Sequence, residues 1–336
     1  MTYRMPAEWE KHEATWISWP KDPLTFPESV LPKVEDIYIK MMLALSPSEK
    51  IHLLVDDKKT EDKVLKMLEE KGSAKNILIH RIKTVDVWMR DYGPIFVKES
   101  RKMKMTKWIF NAWGGKYDEL MKDNGVVDQM APLLKMDVTK TGIILEGGSI
   151  DVNGKGTLLT TEQCLLNKNR NSFSREVMEA HLKDNLGVTN IIWLKEGIAG
   201  DDTDGHIDDI ARFVDGRTVL CAYEEDSNDP NYPILKKNFD DLNSSKDQDG
   251  EPLDIKPLPM PGVVNSPQGR LPASYANFYI GNGAVLLPVF NHKNDTKAIS
   301  LLEDCFPERK VVPIYCEPLV WGLGAIHCVT QQQPLV

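Results

Sequence analysis

The sequence predicts an α/β fold made of five similar units arranged with radial symmetry. Three observations predict it. A helix-patterned segment followed by a short apolar strand recurs five times; the recurrences lead through polar loops toward hairpin signals; and no linker or low-complexity stretch divides the 336 residues. The helical segments rest on spacings such as Val64, Leu65, Met67 and Leu68 set opposite Lys and Glu. The turns rest on Asn153-Gly154, Asp215-Gly216 and Gly281–Gly283, since Asn-Gly and Asp-Gly accept the positive φ of tight hairpins.

The first unit runs Thr60–Lys71, Asn76–Ile82, then the loop Asp86–Asp91 and Pro94–Lys98. The second runs Val126–Lys135, Val138–Leu145, Glu146–Gly148 and the turn at Asn153. The third runs Ser174–Leu186, Asn190–Leu194, Gly205–Asp208, a turn at Asp215, and Thr218–Tyr223. The fourth runs Tyr232–Asp241, Asp254–Leu258, Ser274–Phe278 and the turn at Gly281. The fifth runs Thr296–Phe306, Lys310–Tyr315 and Gly324–Cys328. An N-terminal piece, Ala14–Pro20 with a helix through Met41–Leu45 and strand Ile51–Val55, is expected to close the ring against the last unit. Asn243–Glu251 is polar and reads as a surface loop, so residues 1–336 are read as one domain.

Composition narrows the function. Fifty acidic residues against 41 basic ones give a net charge of −9, which argues against nucleic acid as the main partner and favours a cationic one. No apolar run approaches the roughly 18 residues of a membrane span, and Met1–Met5 leads into charged residues, not a secretory signal. The five cysteines are odd in number and form no CxxC pair, so no disulfide framework or zinc site is expected, and a cytoplasmic location is. A homo-oligomer is compatible with a chain of this size.

The unit loops carry the chemistry. They hold Trp88-Met89-Arg90-Asp91, Glu146-Gly147-Gly148, Asp204-Gly205-His206-Ile207-Asp208 and His327-Cys328. If they converge, a thiol and imidazole meet several carboxylates. Carboxylates suppress a thiolate unless the substrate brings positive charge, and a guanidinium is planar, permanently charged and gripped by carboxylates in pairs. Each residue also has a plainer reading. Cys164, Cys221, Cys305 and Cys316 read as buried hydrophobes, Trp88 and Trp113 as packing, and Asp91 as an exposed ion pair with Arg90. His206 and Asp208 read as one face of a strand, His327 as the outer face of another, and Gly147-Gly148 as a bend at a strand end.

Read together, Met5–Trp16, Trp88–Pro94, Phe110–Tyr117, Glu146–Gly148, Leu166–Asn171, Thr203–Asp208 and Ile326–Gln332 resemble the agmatine deiminase / bacterial-type peptidylarginine deiminase family, in order along the whole chain. The resemblance implies a five-bladed α/β propeller with pseudo-five-fold symmetry. It implies Cys328 as nucleophile, His206 as general acid/base, Asp91 and Asp208 as the guanidinium grip, Glu146 as the orienter of His206, and Trp88 as a channel wall. Asp204 is added here as a fourth acidic neighbour of the substrate. Two positions depart from the family: Gly322-Leu323-Gly324-Ala325 stands where Gly-Gly-Gly-Asn is usual, and Asp209 where Asn is common.

The activity implied is hydrolysis of agmatine to N-carbamoylputrescine and ammonia through a covalent thiouronium, with no metal and no cofactor. Within the class, peptidyl-arginine, arginine or another small guanidine remain alternative substrates, as does transfer to an amine. A metal hydrolase using His206, Asp208 and Asp91, and a non-enzymatic guanidine-binding scaffold, are the readings outside it.

Overall fold

The computed structural model describes residues 3–73 and 75–336; Met1 and Thr2, at the start of the segment read above as lacking a secretory signal, lie outside them. The chain is mixed α/β, with five sheets of three or four strands and one two-stranded ribbon, Asn265–Ser266 with Gly269–Arg270, among the described residues. Each of the five sheets repeats one plan. An antiparallel pair is followed by a helical crossover and a third strand that pairs in parallel with the second. In sequence order the sets are Ile95–Glu99, Lys102–Ile109 and Val138–Ile144 across helix Val126–Leu134. Asp151–Val152, Thr157–Thr161 and Asn190–Leu194 follow across helix Arg175–Leu186. Then come Ala211–Phe213, Thr218–Tyr223 and Asp254–Pro259 across Asn231–Asn243. Tyr279–Ile280, Ala284–Val289 and Lys310–Tyr315 cross through Asp295–Cys305.

The fifth sheet joins the two ends of the chain. Gln331–Pro334 pairs antiparallel with His12–Ser18, which continues in parallel to Lys50–Val55 and Ile77–Arg81. Helices Leu31–Leu45 and Lys58–Lys71 make its crossovers. The N-terminal piece therefore meets the last unit through a strand ladder. The repeat is nonetheless phased differently from the sequence reading. Each helix and strand belongs to the sheet of the hairpin before it, because a parallel partner needs a crossover long enough to hold a helix.

Local signals explain the boundaries. Helix Arg175–Leu186 starts where the Ser174 side chain accepts from the Val177 N–H, and it ends at Gly187 with φ +71. A Cβ on Gly187 would lie 1.5 Å from the carbonyl oxygen of Tyr3, so only glycine admits the short strand Tyr3–Arg4, which pairs antiparallel with Ile95–Glu99. The turn reading holds in part. Gly154 takes φ +69, whereas Gly216, Gly281 and Gly283 stay outside the left-handed region. Those turns need no special glycine conformation. Three apolar clusters fill the spaces between sheets and helices, the largest built around Trp16, Tyr38, Met42, Phe278 and Leu286. No helix among the described residues is long and apolar enough to cross a membrane, and all five cysteines are free.

Candidate active site

The loop before each antiparallel pair delivers one piece of a common site. Asp91 lies in the short helix Met89–Tyr92, ahead of Ile95. Glu146 caps the turn Gly147–Ser149, and His206 caps the turn Ile207–Asp209, which also carries Asp208. Cys328 lies just ahead of Gln331–Pro334. The fourth loop adds Asn277, ahead of Tyr279, a residue the sequence reading left unassigned. His206-Ile207-Asp208 thus runs into a tight turn instead of a strand.

The described geometry brings five of the sequence-selected residues together. Cys328 Sγ lies 3.7 Å from Asp208 Oδ2. His206 Nδ1 is 3.8 Å from Asp91 Oδ1, and its Nε2 is 3.9 Å from Glu146 Oε2. Gly148 closes the group from behind: its N–H donates to Asp91 Oδ1 at 3.1 Å. Asn277 spans the thiol and the turn. Its Nδ2 donates to Cys328 Sγ at 3.1 Å and to Asp209 Oδ1 at 3.0 Å, while its Oδ1 accepts the N–H groups of His327 and Cys328. Both ring nitrogens of His206 and Oδ1 of Asp208 are buried without a hydrogen-bond partner in the protein.

Burial and mutual charge set the protonation states. Burial, then Asp208, Asp209 and Asp91, pushes the Cys328 thiol well above its ordinary range. Burial opposes the charged form of His206, but Asp91, Cys164 and Glu146 outweigh it and raise the imidazole well above its ordinary value. Burial, opposed by His206 and reinforced by Asp208 and Glu146, lifts Asp91 to about 6. Burial also disfavours ionised Asp208 and Glu146, yet His327 holds the first down and Arg170 the second.

Other residues sit elsewhere than the sequence suggested. Asp91 and Arg90 are buried, and Arg90 donates to Gln332 at 2.7 Å and to Glu8 at 3.3 Å, so no exposed ion pair exists there. His327 is buried between Asp208 and Glu8. Asp204 takes φ +65, and its carboxylate is engaged by Arg170 at 2.6 Å, Asn169 at 3.0 Å and Lys116 at 3.1 Å. It braces the site from outside the cavity, whereas Asp202 lines it. Cys164, read as structural, places its thiol 4.0 Å from Glu146 Oε2 behind His206. Trp113 packs edge-on to Trp88 and also donates from Nε1 to Asp91 Oδ2 at 3.0 Å. A Trp two residues after Asn111 in a glycine-rich turn offered no sequence signal for that bond.

A cavity of about 360 Å³ opens above Cys328 and Asp91. Trp88 forms one wall, held by its Nε1 bond to Asp86 at 2.9 Å, and Gly324 leaves room for it: a Cβ there would lie 2.4 Å from the indole. The lining carries Asp22, Asp86, Asp91, Asp118, Glu119 and Asp202 but no Lys, Arg or His. Among the described residues, two triads bring metal-type donor atoms within 4.8 Å of one another, Glu146–Cys164–His206 and Asp208–Asp209–Cys328. Both include groups that the guanidine chemistry would also use.

Residues 4–334 match the family described as Porphyromonas-type peptidyl-arginine deiminase. Among relatives, the chain is 36% identical to an agmatine deiminase of Ectopseudomonas mendocina over 99% of its own length and 95% of the relative's. It superposes on the agmatine deiminase of Enterococcus faecalis with a TM-score of 0.91, at 32% identity, covering 99% and 96% of the two chains. The C. jejuni agmatine deiminase solved with substrate bound gives a TM-score of 0.89 at 32% identity, covering 98% and 96%. An amidinotransferase from Microseira wollei, at 13% identity and a TM-score of 0.55, shares the fold alone. With residues 4–334 spanned by one family and a matching architecture, this protein belongs to the Porphyromonas-type peptidyl-arginine deiminase family.

Proposed function

We propose that this protein is an agmatine deiminase, hydrolysing agmatine to N-carbamoylputrescine and ammonia. The observation that carries the reading is a cavity whose charged lining residues are all acidic and which reaches Cys328 and Asp91, with Asp208 beside the thiol and His206 beside Asp91. A guanidinium suits the inner carboxylates, and a second, distant ammonium suits Asp22, Asp118, Glu119 and Asp202. Free arginine would place its α-carboxylate among those acids in a lining that holds no Lys, Arg or His. The names of the relatives support the same choice.

In the proposed mechanism Asp91 and Asp208 grip the guanidinium nitrogens. Its positive charge reverses the field on Cys328. A unit charge about 4 Å from the sulfur contributes about 4 kcal/mol at an effective dielectric of 20, or about three pKa units. That charge opposes the field of the carboxylates and favours the thiolate when substrate is bound, the thiol proton passing to solvent. The thiolate attacks the central carbon, His206 protonates the departing nitrogen, and ammonia leaves an S-alkylthiouronium. Neutral His206, oriented by Glu146, then takes a proton from water. The hydroxide adds to the same carbon, and collapse releases the thiolate and the urea, whose hydroxyl proton ends on the released ammonia as ammonium. Trp88 serves as the channel wall. The same reading takes residues 1–336 as one domain whose five sheets are the blades of a propeller, with each blade's leading loop at the axis.

The test is a panel of agmatine, arginine and a blocked arginine peptide, read by ammonia and ureido product, with Cys328→Ala and Cys328→Ser as controls. Agmatine should dominate, and both variants should fold but fail to turn over. Activity lost to a chelator but retained after iodoacetamide would transfer the chemistry to a metal and reject the thiol mechanism. Agmatine binding without ammonia release would make the protein a binder.

A further inference from the structure

We propose that Glu8 and His327 form a buried charge relay that fixes the substrate-facing oxygen of Asp208, which makes both of them positioning residues for the deimination proposed above. The inference rests on that reading of the site. His327 is 1% exposed and lies between two carboxylates: Nδ1 is 2.7 Å from Asp208 Oδ2 and Nε2 is 2.8 Å from Glu8 Oε2. Carboxylate oxygens accept and do not donate, so both contacts are complete only when both ring nitrogens carry a proton. Glu8 is itself pinned. Its Oε1 accepts from Arg212 Nη2 at 2.9 Å and from the Ile280 N–H at 2.8 Å, and Arg90 Nη2 reaches its Oε2 at 3.3 Å. Burial opposes ionised Glu8, but Arg212, His327 and Arg90 together hold its carboxyl well below the usual range.

Charge therefore alternates inward: Arg212 and Arg90, then Glu8, then His327, then Asp208. With Oδ2 taken by His327, Asp208 keeps Oδ1 buried and free of protein partners. That oxygen is the one left to meet a guanidinium. The relay draws on the N-terminal segment, the loops at Arg90 and His327, and the strand at Arg212. No single loop could hold the carboxylate in this way. Without the relay, Asp208 would face Asp91, Asp209 and Cys328 with His206 and Arg212 as the remaining opposite charges, and its affinity for a proton would rise.

The experiment compares kcat/KM against pH for wild type, His327→Gln and Glu8→Gln, with circular dichroism and thermal melting to confirm folding. His327→Gln removes the charge beside Asp208 and should lower kcat/KM about 10- to 150-fold, the worth of a charge-assisted hydrogen bond. Its acid limb should also steepen and move to higher pH, because Asp208 then competes for a proton. Glu8→Gln preserves side-chain shape and should shift the same limb in the same direction by less. A uniform fall at all pH values, or an unchanged profile, overturns the relay: the first marks ordinary structural damage and the second no role. If His327→Gln does not fold, the Glu8→Gln profile alone decides. Wild type is run in parallel on the guanidine panel. A wild type silent with every guanidine rejects the functional reading and the relay together, whereas an active wild type with unmoved variants rejects the relay alone.

Discussion

Gly148→Ala would add a single methyl group behind the site. The added carbon would lie 2.6 Å from His206 Nδ1, 2.9 Å from Asp91 Oδ1 and 3.0 Å from Asp208 Oδ2. Ordinary contact begins at 3.4 Å, so these three groups must retreat by about 0.4–0.8 Å. Such overpacking costs about 1–3 kcal/mol of stability. The functional cost is larger, because the displaced atoms belong to the side chains that would hold and protonate the substrate, and a misplacement near 1 Å costs about 100-fold in rate. The expected outcome is a kcat/KM for agmatine reduced about 100-fold, measured by ammonia release, with a modest fall in the urea midpoint. Gly125→Ala is the matched control. Nothing lies within 4 Å of its added carbon and its φ is −85, so stability should hold or rise by about 0.4–1 kcal/mol with activity unchanged. Gly148→Ala with kcat/KM within about twofold of wild type, a difference of about 0.4 kcal/mol, would refute the steric argument.

Three further outcomes are expected. Asp91 titrates near 6 in the free protein and must be ionised to grip a cation, so kcat/KM should fall as pH drops through about 6; a flat profile down to about pH 5 would remove Asp91 from the grip. Trp113→Phe deletes the 3.0 Å bond to Asp91 and should raise KM about 2- to 10-fold while pushing that acid limb upward, both checked by steady-state kinetics. Arg170→Met leaves Glu146 buried without its 2.7 Å partner and should cost about 3–5 kcal/mol in urea unfolding; a loss under about 1 kcal/mol would show that Glu146 is held by other means.

Much of the site was legible because its residues are chemically rare. A Cys after a His, a His two residues before an Asp, and a Glu before two glycines stand out at the same point of successive units. Asn277 did not, since a neutral amide advertises no titration and its importance lies in bonding Cys328, Asp209 and two backbone N–H groups at once. Glu8 was hidden for a different reason. It lies 319 residues from His327, and the expectation that the N-terminal piece closes the ring did not say which of its side chains would reach the last unit. Asp204 shows the converse: it shares a loop with His206, but one left-handed residue turns its carboxylate to Arg170 and Lys116.

The sequence by itself determined the helices, the longer strands, the five-fold recurrence and the loops that carry chemistry. Those follow from local periodicity, turn residues and rare side chains, which act over a few positions. Tertiary structure alone decided which strand joins which hairpin, since two-residue strands such as Asp151–Val152 and Tyr279–Ile280 are too short to show a period. It also decided which carboxylates face the cavity and which face cations, because those distances are set by packing between segments from about twenty to more than a hundred residues apart.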